Sequence, residues 1–292
     1  MLSFQGRTRP STTRMKVMDL ASIMSADPHC VGPEISPDDA LAVMDDQDVR
    51  HLPVVEQGRL VGVLSDRDLL SEIGWLPART PAQRAAREGE GSVRTVRELM
   101  HANVTTGEPD DSVVTAAVDL VVQSIGCLPV LRGDELVGMV TEMDLVAAFW
   151  RIAQKGELDG DIDPLVSERM AAQPVTVTFV TPVKQAVALC HDHHVRHLPV
   201  VDGERLVGVV SDRDLRAASC GGRHLEQVVG TIMVPYPVTL VREDRLSVAA
   251  ERMVGHRISC LPVVDGNKLQ GIVTLTDLLE HCISTLRDPE TH

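Results

Sequence analysis

The sequence predicts an α+β fold made of four copies of one small unit, paired two by two. Three observations predict it. A short apolar strand repeats as HLPVV at 51–55, CLPVL at 127–131, HLPVV at 197–201 and CLPVV at 260–264. Nine residues after each of its prolines stands a glycine: Gly62, Gly138, Gly208 and Gly271. Twelve after it stands a Ser or Thr followed three later by Asp, as Ser65/Asp68, Thr141/Asp144, Ser211/Asp214 and Thr274/Asp277. Upstream, Met24, Met100, Met170 and Met233 each lie 29 residues before the proline, so the register holds from Met to Asp without an insertion. Self-similarity of this kind decides architecture before any single element is read.

The third copy shows each element in turn. VTVTF (175–179) is rich in β-branched residues and reads as a strand. VKQAVALCHDH (183–193) places Val183, Ala186, Val187 and Cys190 on one helical face. HLPVV is a second strand, and DGER (202–205) a tight turn, because Asp-Gly between apolar runs favours a hairpin. LVGVVS (206–211) is the return strand, and SDRDLRAA opens a second helix. The order is strand, helix, strand, strand, helix. One such unit cannot bury both faces of its sheet, so two must pack sheet against sheet with helices outside.

Copies one and three are nearest kin, with VRHLPVV and RLVGVLSDRDL against RLVGVVSDRDL. Copies two and four share CLPV and a V-T-x-x-D ending. The order is that of a duplicated two-unit module. The expected division is a flexible lead-in (1–15), unit 1 (16–73), a linker rich in Pro, Gly and charge (74–92), unit 2 (93–152), an inter-module linker (153–162), unit 3 (163–220) and unit 4 (226–284).

Composition narrows the function classes. The 292 residues are 43% hydrophobic and 24% charged, those of a globular protein, and only 2% aromatic, which predicts an aliphatic core. A net charge of −14 disfavours nucleic-acid binding. No apolar run is long enough to span a membrane. None of the six cysteines forms a C-x-x-C pair, and three lie at apolar or small places of the repeat, which points to free buried thiols and a cytoplasmic setting. No nucleophile, P-loop or metal-helix motif is present, which predicts a protein that is not an enzyme. HDHH (191–194) reads as a solvated helix end, with no partner ligands that would make it a metal site, and His29 and His101 read as surface residues.

The repeat resembles the CBS domain, whose units carry a Met, a Thr-Val-x-Pro-Asp segment, an H-L-P-V-V strand, a glycine-bearing strand and a T/S-x-x-D helix start. The Thr place here reads Cys30, Thr106, Thr176 and Thr239, and the Pro place keeps Pro33 and Pro109 but becomes Phe179 and Arg242. The resemblance implies pairing into two Bateman modules, often arranged as a disc, and binding of adenosyl ligands between paired units. It implies a regulator carrying AMP, ADP or ATP, with or without Mg²⁺, and acting on a protein target. Modules that pair between chains leave room for a homodimer.

Under that resemblance Asp68, Asp144, Asp214 and Asp277 hold ribose. Ser65, Thr141, Ser211 and Thr274 lie beside phosphate, at helix N-termini that attract anions. Copies one and three add Arg50, His51 and Arg67, and Arg196, His197 and Arg213, which suit a phosphate chain. Adenine is expected between Val31 and Val63 in copy one, and against Thr176, Val177 and Val209 in copy three. Two plainer readings stand beside this one. Each S/T-x-x-D is also a helix capping box, although Asp is shorter than the usual Glu or Gln. The rival to the sensor is a scaffold or oligomerisation disc whose clefts bind nothing, against which the intact Ser/Asp pairs of all four copies argue.

Overall fold

The computed structural model describes residues 18–73, 95–154, 163–219 and 227–286. The lead-in, the 74–92 linker and Cys220 lie outside the described residues, as does the inter-module stretch apart from residues 153–154, which close a helix.

Unit 1 contains helix α1 (Pro37–Gln47), strands β2 (His51–Glu56) and β3 (Arg59–Ser65), and helix α2 (Asp66–Ile73), preceded by the two-residue strand β1 (Ser25–Ala26). Unit 2 contains the short α3 (Val96–Leu99), α4 (Val113–Val122), β4 (Cys127–Arg132), β5 (Glu135–Thr141) and α5 (Glu142–Gln154). Unit 3 contains α6 (Val183–Asp192), β6 (His197–Asp202), β7 (Arg205–Ser211) and α7 (Asp212–Ser219). Unit 4 contains β8 (Val234–Pro235), α8 (Leu246–His256), β9 (Cys260–Asp265), β10 (Lys268–Thr274) and α9 (Leu275–Leu286). The helices and hairpins thus follow the expected order in all four copies.

The first expected strand of each unit shrinks to one parallel bridge. Val177 pairs with Val200 through Val177 N–H to Pro199 O at 3.1 Å and Val201 N–H to Val177 O at 2.8 Å. The same bridge joins Val31 to Val54, Gly107 to Val130 and Leu240 to Val263. Two hydrogen bonds fasten the segment, and the turn toward the helix follows at once, so no ladder extends.

Every hairpin carries the same bulge, where pairing slips between Val54 and Val55, Val130 and Leu131, Val200 and Val201, and Leu269 and Gly271. The glycine of the repeat sits beside this bulge, and there the leading segment of the partner unit docks. Ser25 of unit 1 pairs with Met139 of unit 2, while His101 of unit 2 pairs with Val63 of unit 1. In the second module Ala171 pairs with Ile272 and Val234 with Val209. Each unit therefore lends its leader to the other's sheet. Small clusters seal the contact: Val63 with Cys127 and Met139, and Val209 with Cys260 and Ile272.

The two modules meet through helices, unit 1 against unit 3 and unit 2 against unit 4. The two seams differ in kind. Helices α4, α5, α8 and α9 share one apolar core, with Leu145, Ala148, Phe149, Ala249, Met253 and Leu278 almost fully buried. Opposite it, α2 and α7 face each other across charges. Arg67 Nη2 lies 3.3 Å from Asp212 Oδ2, and Arg213 Nε lies 3.4 Å from Asp66 Oδ2. Arg257 of unit 4 adds an exposed pair with Asp48 of unit 1 at 2.7 Å. The core is aliphatic as the composition predicted, except that Phe149 is the largest fully buried side chain.

Candidate functional site

The four S/T-x-x-D sequences all sit where a return strand becomes a helix. In unit 1 Asp68 Oδ2 accepts from Ser65 N at 2.8 Å and Ser65 Oγ at 2.6 Å, while Asp68 N–H donates back to Ser65 Oγ at 3.2 Å. Thr141/Asp144 and Ser211/Asp214 close the same reciprocal box. Asp277 accepts from both the N–H and the hydroxyl of Thr274 at 2.7 Å. So the shorter carboxylate still caps, and it does so with one oxygen. The capping reading and a ribose contact at the second oxygen are geometrically compatible.

At the unit-1 site a residue of unit 2 reaches that second oxygen. His101 Nε2 stands 3.0 Å from Asp68 Oδ1. The sequence places His101 on the surface, and its side chain is indeed 74% exposed. Its role comes only from the exchanged leader, which carries it across to β3. No sequence signal marks it, because the same register place reads Ser25, Ala171 and Val234 in the other copies.

The basic residues of copies one and three converge on the seam between modules. Arg50 and Arg196 both act electrostatically on His51, His197 and Glu142. Arg67 and Arg213, each expected beside its own helix start, reach over to the other module's. Arg67 meets Asp212, the residue after Ser211, and Arg213 meets Asp66, the residue after Ser65. Asp212 is buried and also accepts from Arg216 Nε at 2.7 Å. Arg196 lies 3.6 Å from Glu142. The acids Asp66, Glu142 and Asp212 escaped the sequence reading. Their signal was available, since three of four copies place an acid directly after the capping Ser or Thr, while the fourth has Leu275.

The histidines point along the contact between paired units. A Cβ on Gly126 would lie 2.7 Å from the His51 ring, so the Gly of copy two is the hollow that receives the His of copy one. His197 Nε2 lies 3.0 Å from Ser259 Oγ, the corresponding residue of copy four. Burial is the main force lowering the pKa of both imidazoles, with Arg50 and Arg196 adding to it, and that of His197 falls to about 4. Both are neutral near pH 7, so the positive charge here belongs to the arginines. Glu142 shifts the other way, its pKa raised chiefly by burial against the pull of Arg196 and Arg50.

The residues expected around adenine separate. Val31 packs inside unit 1 with Leu52 and Val54, whereas Val63 turns to unit 2. Val177 packs inside unit 3 and Val209 against unit 4. Thr176 is exposed and, with Gln173, Val201 and Lys268, lines a cavity of about 220 Å³ between the leader of unit 3 and the hairpins of units 3 and 4.

Cys127, Cys190, Cys260 and Cys282 are buried free thiols whose pKa is raised mainly by burial, and Cys30 is exposed. His191 pairs with the adjacent Asp192 at 3.2 Å, and His194 takes a left-handed φ of 54° just past the helix end. Among the described residues no cluster of His, Cys, Asp and Glu is arranged to hold a metal, and no helix is long and apolar enough to cross a membrane.

Comparison with known proteins gives a consistent answer. Four stretches, residues 19–74, 96–151, 166–221 and 229–284, match the family model of the CBS domain. The uncharacterized protein MJ1225 of Methanocaldococcus jannaschii is 25% identical over 260 residues, covering 83% of this chain and 90% of that protein. Its crystal structure, described as that of a proposed archaeal homolog of g-AMPK, superposes with a TM-score of 0.73 at 23% identity and covers 90% of this chain and 99% of that one. An uncharacterized conserved protein from Pyrococcus horikoshii superposes with a TM-score of 0.62 at 21% identity, over 91% and 100%. The meiotically up-regulated gene 70 protein of Schizosaccharomyces pombe is 27% identical over 89% of this chain, which spans 33% of that longer protein.

Proposed function

The chain belongs to the CBS-domain family, and we propose that it is a regulatory sensor of adenine nucleotides rather than an enzyme. One observation carries this reading. The start of α2 and the start of α7 face each other across the modules, each with a capped Ser-x-x-Asp, and Arg50, Arg67, Arg196 and Arg213 converge on them. Helix N-termini and arginines together favour a phosphate chain. The second oxygens of Asp68 and Asp214 favour the paired hydroxyls of a ribose. Of the residues expected around adenine, Thr176 is exposed and open to a base in unit 3, while Val31, Val63, Val177 and Val209 are taken up by packing within and between units.

The mechanism follows from what the arginines already do. Arg67 and Arg213 bind the opposite module through Asp212 and Asp66. A phosphate that takes either guanidinium competes with an inter-module ion pair. The apolar seam between units 2 and 4 stays shut, so the charged seam is the one that changes. Ligand binding alters the module arrangement only as far as the ligand prefers one arrangement. A partner protein would read that change. Copies two and four lack the arginines, and Asp144 and Asp277 are weaker sites.

A disc that binds nothing explains the same Ser and Asp residues as caps alone. A thermal-shift and calorimetric screen with AMP, ADP, ATP with and without Mg²⁺, GTP and S-adenosylmethionine separates the readings. Ligand at about a hundred times its Kd stabilises by roughly 2.7 kcal/mol. A response to an adenosine ligand, absent with GTP and reduced by one site in Asp214→Ala, supports the sensor. Silence at millimolar concentrations sends the reading to the scaffold.

A further inference from the structure

The two basic clefts are made alike by sequence and unlike by structure, and the difference is His101. Copies one and three share SDRDL and RHLPVV, so the groups expected at ribose and phosphate match residue for residue, while the Thr place differs as Cys30 against Thr176. The partner unit's leader finishes each cleft. At the unit-1 cleft that leader presents His101, whose Nε2 reaches Asp68 Oδ1 at 3.0 Å while Oδ2 is held by Ser65. At the unit-3 cleft the residue in the same register, opposite Val209, is Val234, which is 57% exposed and has no group to offer Asp214.

We propose that His101 is a latch, lent by unit 2, that closes the unit-1 cleft against its ligand and makes the unit-3 cleft the first to fill. The inference rests on the nucleotide reading of these clefts and adds an order to them. The imidazole occupies the carboxylate oxygen a ribose would need, so a nucleotide entering unit 1 displaces it. The side chain is mostly exposed, and hence free to swing out, so the latch weakens the site without abolishing it. Releasing a single hydrogen bond corresponds to roughly 3- to 10-fold in affinity. Because the side chain alone swings, the backbone of His101 keeps the grip of unit 2 on unit 1 while the latch opens. Val63 N–H to His101 O at 3.0 Å and His101 N–H to Val63 O at 2.9 Å are the bonds of that grip.

The test titrates AMP calorimetrically into the full chain carrying Asp214→Ala, which leaves the unit-1 cleft, with and without His101→Ala. It also titrates AMP into the chain carrying Asp68→Ala, which leaves the unit-3 cleft, with and without Val234→His. Both added substitutions are at exposed places. The latch predicts AMP binding tighter by roughly 3- to 10-fold on losing His101, and weaker by a similar factor when Val234→His supplies an imidazole to the unit-3 cleft. Equal affinities within each pair overturn the latch and leave the nucleotide reading standing. Absence of AMP, ADP and ATP binding in every variant and in the parent chain overturns both. In that case the ring ¹⁵N signals of His101 still show whether the contact exists, since they move in Asp68→Asn if it does and stay put if it does not.

Discussion

Met100 of unit 2 lies in the hollow left by Gly62 of unit 1. A Cβ on Gly62 would stand 2.6 Å from the Met100 sulfur and 2.9 Å from the carbonyl oxygen of His101. The other three glycines receive a methionine in the same way, Gly138 from Met24, Gly208 from Met233 and Gly271 from Met170. The two most regular marks of the repeat are therefore partners across units. Glycine stands here because the partner unit's methionine, joined at Gly62, Gly208 and Gly271 by a backbone carbonyl, approaches closely, and not for a left-handed conformation.

Gly62→Ala should destabilise the chain, because the backbone carbonyl cannot move aside as a flexible side chain could. Overpacking of this kind costs about 1–3 kcal/mol. Urea denaturation is the measurement. Gly32→Ala, where nothing stands within 4 Å of the new methyl, should be nearly silent.

Phe149→Ala should be the most damaging single truncation in the core. Phe149 is 1% exposed in the cluster shared by units 2 and 4. Loss of a buried Phe costs about 3–5 kcal/mol. Because the cluster spans both modules, calorimetry should show the midpoint of the whole chain falling, not that of one module alone.

Stability should fall on acidification through the histidine range. His197 ordinarily titrates at 6.5 but at about 4 in the folded chain. Above 6.5 both folded and unfolded chains carry it neutral, and the full stability is present. Between 6.5 and 4 only the unfolded chain takes up the proton, so folding loses on the order of 3 kcal/mol from this residue. Chemical denaturation at pH 7 and pH 4.5 measures the loss, and His197→Asn should remove most of its share.

Arg67 should serve the nucleotide of unit 3 rather than that of its own unit. It reaches Asp212 at the start of α7. In calorimetric titration, Arg67→Ala should weaken AMP about 10-fold when only the unit-3 cleft is left by Asp68→Ala. It should matter far less when Asp214→Ala leaves unit 1. Arg213→Ala should show the opposite pattern.

Much of this was legible in the chain itself. Hydrophobic periodicity, glycine-bearing turns and Ser/Thr-x-x-Asp caps are local physics, and they account respectively for helices α1, α4, α6 and α8, for the four hairpins, and for the starts of α2, α5, α7 and α9. Among the candidate site residues, Asp68 and Asp214 stood out because all four copies keep the Asp, and Arg50 and Arg196 because only two copies carry them. The opening strands are shorter than expected, since β-branched runs such as VTVTF favour extended backbone whether or not a ladder forms. Gly126 and Ser259 stand in copies two and four where copies one and three carry Arg50 and Arg196. They are the room that His51 and His197 need.

What the sequence determined by itself was the unit: its element order, its caps, its pairing logic and the charges that set copies one and three apart. These depend on residues close along the chain or on identity of register. The tertiary structure alone decided who faces whom. Exchange of leaders carries His101 to Asp68, packing of α5 on α8 and α9 brings α2 against α7, and that packing turns Arg67 and Arg213 to the opposite module. Such contacts join residues far apart along the chain, and no local preference encodes them. They arise because each half-buried face must find another of matching shape and charge.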